Sequence, residues 1–265
     1  MPYKGYIKLI YSLFREILFY WGWKYHCPYC NGHFRKMLPG GIDIPVLTAK
    51  EVIGGGLRLN CFCPRCSSTD RERLLLIYLK FKSDLFSRKR VKLLHIAPEP
   101  NLRELLLSSS NICYYSGDRF TEHTAYPIDT IPLDILNLPF KDSLFDVILC
   151  NHVLEHIPQD TVAISEIFRA IKPGGWAILQ VPISQILTKT LENNQITSPE
   201  DRERFFGQFN HVRIYGRDYK NRLDQTGFNV EVFNMAKEYG EDFIKRYAVN
   251  VKEDLYIAFK QNVIA

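Results

Sequence analysis

The sequence predicts an α/β chain, with a doubly wound, mostly parallel sheet that ends in an antiparallel strand pair and is preceded by a small cysteine-bearing module. Three observations predict it. From residue 91 onward, short apolar runs alternate with amphipathic helical stretches, the pattern of β-α-β crossovers that cover a parallel sheet on both faces. The last two apolar runs, Phe228 to Phe233 and Asp254 to Lys260, have no good crossover helix between them, so they are expected to pair antiparallel. Two matched Cys-x-x-Cys motifs stand ahead of that domain.

Within residues 1–23, Tyr3, Tyr6, Ile7, Ile10, Phe14, Ile17, Leu18 and Trp21 follow the spacing of one helical face, with Lys4, Lys8 and Arg15 elsewhere. This predicts an amphipathic N-terminal helix. Lys4, Lys8, Arg15 and Glu16 break the run too often for a transmembrane segment. The apolar face either docks on protein or lies in a membrane interface, which makes residues 3–23 a candidate peripheral membrane contact.

Residues 24–70 hold Cys27-Pro28-Tyr29-Cys30 and Cys63-Pro64-Arg65-Cys66. Each places two thiolates on a tight turn, so Cys27, Cys30, Cys63 and Cys66 can surround one tetrahedral Zn2+ in a zinc-ribbon-like module. With every coordination position filled by protein, such an ion is structural. A redox dithiol pair is the competing reading, and Cys61, His26 and His33 are possible substitute ligands. Pro39-Gly40-Gly41 and Gly54-Gly55-Gly56 read as turns between short strands. Residues 71–90 are expected to form a helix, with apolar positions Leu74 to Phe81 behind an acidic and basic start, connecting the module to the main domain.

The chain has 265 residues and a formal charge of +5. The charge is uneven, with 16 basic against 6 acidic residues up to residue 90 and 18 against 23 after it. A basic front third suits RNA or an anionic membrane, or is simply a solvated face. Seven cysteines without a cleavable signal peptide point to a reducing, cytoplasmic setting. Cys113 and Cys150 sit in apolar runs and are expected in the core.

In residues 91–265, Val91 to Ala97 reads as a strand, Pro100 to Leu107 as a helix and Ile112 to Asp118 as the next strand. Phe145 to Cys150, a helix from Thr161 to Ile171 closed by Lys172-Pro173-Gly174-Gly175, and a strand from Trp176 to Val181 continue the alternation. The motifs Asp134-Ile135-Leu136-Asn137-Leu138-Pro139-Phe140, Phe145-Asp146-Val147-Ile148, Val153-Leu154-Glu155-His156-Ile157, the Pro-Gly-Gly turn before Leu179, His211-Val212-Arg213 and Gly227-Phe228 follow in order. Over this span the sequence resembles the class I S-adenosylmethionine-dependent methyltransferases of the small-acceptor-like subgroup. The resemblance implies a Rossmann-like fold, S-adenosylmethionine as cofactor and a methyl acceptor it does not identify.

The first loop departs from that family, since His95-Ile96-Ala97-Pro98-Glu99-Pro100-Asn101 stands where an acid and a glycine-rich turn are expected. Ala97 is small enough to admit a ligand, and Pro98 and Pro100 preform the loop. Glu99 either faces the ammonium or sulfonium of the cofactor or caps the following helix. Asp118 closes the second strand, where an acid can accept both ribose hydroxyls, and Arg119 borders the same place or is solvated. By the resemblance, Asp134 lies near the adenine amino group and Ile135 packs on the ring. Asn151 and His152 follow the third strand at the carboxyl edge, whereas Asp146 is expected to hold the strand entrance.

His152, His156, His211 and Tyr215 are candidate proton acceptors or structural hydrogen-bonding groups, and no catalytic residue is assigned. The long segment from Ile183 to Asn210 reads as a lid over the acceptor. A small or lipid-linked acceptor is the first reading. An RNA methyltransferase that uses the basic module, and a noncatalytic zinc-containing binding protein with a degenerate pocket, are the alternatives.

Overall fold

The computed structural model describes residues 18–121 and 125–262. Most of the helix expected over residues 1–23 lies outside them. Trp21 to Trp23 already belong to a strand, which suits a stretch where Trp21 and Trp23 share one face of an extended chain. No helix among the described residues is long and apolar enough to cross a membrane.

Strands β1 (Trp21–His26), β2 (His33–Phe34) and β3 (Leu38–Gly40) come first, followed by helix α1 (Pro45–Ala49) and strands β4 (Val52–Ile53) and β5 (Arg58–Phe62). Helix α2 (Asp70–Phe81) begins at Thr69 with a reciprocal cap: the Glu72 N–H donates to Thr69 Oγ1 at 3.1 Å and the Thr69 N–H donates to Glu72 Oε2 at 2.8 Å. The chain forms two compact units. One takes residues up to Ile42, Leu57–Ser83 and Met235–Lys252, and the other takes Asp43–Gly56, Asp84–Asn234 and residues from Glu253 on.

This partition differs from the expected contiguous module over 24–70 and connector over 71–90. Helix α2 belongs to the cysteine-bearing unit, together with two short helices near residues 235–246, while the stretch between the knuckles joins the α/β unit. Packing explains the second departure. Leu47 of α1 is buried with Phe206 and Ile214, β4 pairs antiparallel with Ile183–Ser184, and Ser184 Oγ donates to the Lys50 carbonyl at 2.6 Å. The expected lid over 183–210 is therefore a structured surface built jointly with the inserted segment.

The α/β unit is organised by β6 (Val91–Ile96), α3 (Pro100–Leu107), β7 (Ile112–Asp118), β8 (Thr130–Pro132), β9 (Phe145–Asn151), α4 (Asp160–Ala170) and β10 (Ile171–Gln180). Short strands β11 (Ile183–Ser184), β12 (Leu191–Glu192) and β13 (Arg213–Ile214) with helices α5 (Pro199–Phe206) and α6 (Tyr219–Asp224) lead to β14 (Asn229–Asn234) and β15 (Asp254–Phe259). The seven-stranded sheet runs β14-β15-β10-β9-β6-β7-β8. Strands β10, β9, β6, β7 and β8 pair parallel, and β15 is antiparallel to both its neighbours. This is the Rossmann-like arrangement with an antiparallel C-terminal pair. Every residue of β9 is buried, as a central parallel strand covered on both faces must be.

Two local expectations fail. Lys172 to Gly175 do not close α4 but lie inside β10 as a bulge, with the register to β9 jumping between Ile171 and Trp176 and Gly174 at φ +78°. Cys113 is exposed near the start of β7, while Cys150 is fully buried. Asp146, at the amino end of β9, accepts from the Lys92 N–H at 2.8 Å and Lys172 Nζ at 2.9 Å, so it holds the strand entrance.

The cysteine-bearing unit is tied by Arg73, fully buried on α2. Its Nε donates to the Tyr247 carbonyl at 2.8 Å, Nη1 to Cys61 and Ser68 at 3.2 and 2.6 Å, and Nη2 to Asn60 and Ala248 at 2.7 and 2.9 Å. One planar fork thus joins three chain segments through all its donors. Arg73→Met is expected to strip five carbonyls of their donor and destabilise this unit by on the order of 3–5 kcal/mol. Urea unfolding in a Trp176→Phe background, followed by tryptophan fluorescence so that Trp21 and Trp23 alone report, checks this.

Candidate functional site

Beyond β6, the chain winds outward through β7 and β8, then returns to place β9 on the other side of β6. The crossover direction therefore reverses between β6 and β9, and the loops leaving their carboxyl ends must part there. A cavity of about 320 Å³ opens at this edge, lined by residues following β6, β7, β8 and β9.

Five residues anticipated from sequence line it: Ala97, Asp118, Arg119, Asp134 and Ile135. Ala97 leaves β6 at φ +51°, the left-handed region in which Cβ crowds the following carbonyl. Asp118 ends β7, and burial raises its carboxyl above the ordinary value. Gly117 before it leaves room for Leu133, whose Cδ1 lies only 2.6 Å from where a Cβ would stand. Asp134 Oδ1 accepts from the Leu136 N–H at 2.9 Å, which holds the loop after β8 in a tight local turn.

His95, Pro98, Glu99, Asn151 and His152 are not among the lining residues. His95 is fully buried in β6, and strand alternation puts it on the sheet face opposite Ile96, which lines the cavity. Its Nδ1 is 3.1 Å from the Tyr114 hydroxyl and its Nε2 2.6 Å from Glu99 Oε2. The ring thus holds Glu99 from beneath the loop, and Glu99 makes no side-chain cap to α3, although it occupies the N-cap position. Pro98 is half-buried within the preformed turn.

Asn151 and Gln180 sit side by side across β9 and β10. Both are buried, and Asn151 Nδ2 and Oδ1 and Gln180 Oε1 have no hydrogen-bond partner among the described residues. His152 leaves β9 at φ +55°, with its Nδ1 3.4 Å from Glu155 Oε1. The turn at Gly54, at φ +80°, comes so near that an added Cβ would lie 3.6 Å from His152 Cε1. Tyr215 is core, donating to Asp160 Oδ2 at 2.6 Å.

The sequence reading missed Ile96, Leu133, Leu136, Val153, Ile157, Pro158 and Gln159 as lining residues. For Ile96, Leu133, Leu136, Val153 and Ile157 a signal was available, since they lie at a strand end or in the two motifs after β8 and β9, but apolar residues there read equally well as core; Pro158 and Gln159 carried no such signal.

In the cysteine-bearing unit, the sulfurs of Cys27, Cys30, Cys63 and Cys66 lie within 4.8 Å of one another. Cys27 and Cys66 are 3.6 Å apart and Cys30 and Cys63 3.7 Å, close to the edge of about 3.8 Å for a tetrahedron with metal–sulfur bonds of about 2.3 Å. The knuckles share one backbone path. The Cys27 N–H donates to the Gly32 carbonyl and the Cys63 N–H to Ser68, both at 2.9 Å, and Asn31 and Ser67, one residue past each second cysteine, are left-handed. Crowding splits the thiols: hydrogen bonding from Cys30 and then Cys63 pulls Cys27 far below the usual thiol range, while Cys27 pushes Cys63 far above it. Cys61 is outside the cluster, and His26 and His33 stack on each other at 4.8 Å instead.

Residues 108–179 match the family model described as "Methyltransferase domain". That match lies within the α/β unit. A demethylmenaquinone methyltransferase of Staphylococcus aureus strain JH9 is 28% identical over 115 residues, covering 43% of this chain and 42% of that protein. One from Staphylococcus carnosus strain TM300 is 29% identical over 109 residues, 38% of this chain and 41% of its own. The chain thus spans about two fifths of the length of these curated relatives. Among solved structures, the Haemonchus contortus phosphoethanolamine N-methyltransferase 2 complex with S-adenosyl-L-methionine aligns with TM-score 0.47 and 16% identity over 71% of this chain and 52% of that one. The YcgJ protein from Bacillus subtilis aligns at 0.45 and 13% over 72% and 98%.

The left-handed Ala97 gives a direct test of the loop geometry. Ala97→Gly is expected to be neutral or to stabilise by up to about 1 kcal/mol, and Ala97→Val, with its branched Cβ, to destabilise by more than about 1 kcal/mol. Equilibrium urea denaturation of both variants measures the difference.

Proposed function

We propose that the chain is an S-adenosylmethionine-dependent methyltransferase acting on a small or lipid-linked acceptor, with a structural Zn2+ in its cysteine-bearing unit. The observation that carries this reading is the cavity bounded by Ala97, Asp118 and Asp134 at the switch point, within the unit that matches a methyltransferase model.

The residues present fit the cofactor. In this reading Asp118 accepts hydrogen bonds from the ribose hydroxyls, Ile135 and Leu136 form an apolar wall for the adenine and Asp134 serves its amino group, which their shared lining of one cavity supports. Glu99, oriented by His95, brings a carboxylate to the loop where the family's own acid is missing. The orphaned amide of Asn151 supplies donor and acceptor capacity near the methionine end. When bound, the cofactor supplies a methyl group on sulfonium, already a good leaving group, so positioning and exclusion of water provide much of the acceleration. No general base is required, and His152, held by Glu155, serves as an orienting group.

For the acceptor, the relatives' printed substrate name supports a lipid-linked quinone-like molecule. So does a surface on the cysteine-bearing unit where Trp21 and Trp23 are 55% and 72% exposed beside exposed Lys24, Arg35 and Lys36, a composition suited to a lipid headgroup layer. The same aromatic and basic surface suits stacked RNA bases, which keeps an RNA acceptor as the second reading. Salt-dependent RNA binding without liposome binding would select it.

Calorimetric titration with S-adenosylmethionine is expected to show micromolar binding, weakened at least about 30-fold, or about 2 kcal/mol, by Asp118→Ala. Because burial raises the Asp118 carboxyl, and ribose hydroxyls donate to its ionised form, affinity is expected to fall as pH drops through that raised value and to level off above it. Absence of binding by the folded parent protein refutes the reading and favours a noncatalytic zinc-containing protein.

The metal makes a separate claim. In cobalt-substituted protein, Cys63→Ser is expected to erase or strongly weaken the sulfur-to-metal charge-transfer band and to lower the Tm of the cysteine-bearing unit.

A further inference from the structure

The single 3-10 turn Leu154–His156 follows β9, and the residues before β13 come back against it. The Val212 N–H donates to the Glu155 carbonyl at 3.0 Å, so the two segments are pinned by backbone. This brings Glu155, His156 and His211 together with one ligand atom from each within 4.8 Å of the others. Glu155 and His211 are buried, at 2% and 8% exposure.

We propose that Glu155, His156 and His211 form a second metal site, for a divalent first-row transition ion. Each imidazole is anchored in the manner of a metal ligand. His156 Nδ1 lies 3.3 Å from the Asn210 carbonyl and His211 Nδ1 3.3 Å from the Phe206 carbonyl. With Nδ1–H donating to these carbonyls, both rings carry their lone pair on Nε2, and their orientation is fixed before an ion arrives. The rings meet nearly edge to face, with centroids 4.7 Å apart and planes at 73°, so they approach from different directions as two ligands of one ion do.

Two nitrogens and one carboxylate oxygen select zinc, iron(II), cobalt(II) or manganese(II) over calcium or magnesium, which prefer all-oxygen shells. A cation also compensates a carboxylate taken almost wholly out of water. Asn210, which precedes His211, also has a buried Oδ1 with no hydrogen-bond partner among the described residues. The site lies directly behind the cavity wall, because Val153 and Ile157, which flank the 3-10 turn, are lining residues. Binding an ion there clamps the turn to the segment before β13 and steadies that wall.

The test uses the full chain loaded with zinc on its cysteines, titrated with Co2+ and followed by visible absorption and total-metal analysis. One further equivalent of cobalt is expected, with ligand-field bands of a nitrogen- and oxygen-bound ion and no sulfur charge-transfer band. His156→Gln and the isosteric Glu155→Gln are each expected to weaken this uptake at least about tenfold while keeping the sulfur-bound zinc. His211→Ala is expected to abolish it. Failure of the parent protein to take up cobalt beyond its zinc overturns the proposal, as does unchanged cobalt affinity in both the His156 and Glu155 variants. Because the readout is metal uptake, it is independent of whether S-adenosylmethionine binds.

Discussion

The loops at the switch point depend on two backbone conformations that their residues do not prefer. Ala97 and His152 leave the adjacent strands β6 and β9 with φ of +51° and +55°, each at a cost of about 1–2 kcal/mol for a residue with a Cβ. The sheet keeps them there. Strand β9 is buried along its whole length, and its partners β6 and β10 hold it in register on both sides, so the strand ends cannot shift to relieve the turns. The turns divert the two loops to opposite sides of the edge, and the cavity lies between them.

That dependence decides how much of the site was legible. Strand ends can be read from where apolar runs stop, so Asp118, which ends β7, and Arg119 after it were expected at this edge from the strand pattern, whereas Asp134 was expected there only from its match to the family motif. Ala97 was found as a small residue, but its left-handed φ was invisible because nothing in an Ala-Pro-Glu-Pro stretch announces it. His95 was misjudged for a different reason. It lies one residue before the strand end, where the two-residue period puts it on the sheet face opposite Ile96, which lines the cavity, and its ring meets Glu99 instead.

The units were less legible than the fold, because their boundaries are set by contacts distant in sequence. The two knuckles are local patterns that can be read directly, and the capping box at Thr69, found only in the structure, is local as well. Nothing local says that residues 43–56 join β11 and α5, or that Met235–Lys252 joins α2 through the Arg73 fork. The arginine shows how such a joint is made without a carboxylate. Its five donors meet five carbonyls, so the charge is spread over peptide dipoles that would otherwise need water. A basic residue in the first turn of a helix gives no sequence sign of that role.

The α/β unit holds both a closed network of paired polar groups and buried polar atoms without a partner among the described residues. Asp160, buried below the edge, receives Arg222 and the Tyr215 hydroxyl, and Arg213 spends its donors on Glu192 and the carbonyls of Leu154, Ile157 and Pro158. That network closes on itself, and although it borders the larger of the unit's two described cavities, its charges are already matched. At the carboxyl ends of β9 and β10, by contrast, Asn151 and Gln180 bring buried amide atoms with no protein partner. Each such atom costs about 1–3 kcal/mol if it stays unpaired, a penalty that a fold able to build the Asp160 network could have avoided. The orphaned amide of Asn151, the unpaired Oε1 of Gln180 and the two left-handed residues fall at the same edge of the same sheet. Strain and unmet hydrogen bonding therefore coincide at the switch point, where a bound polar molecule can repay both.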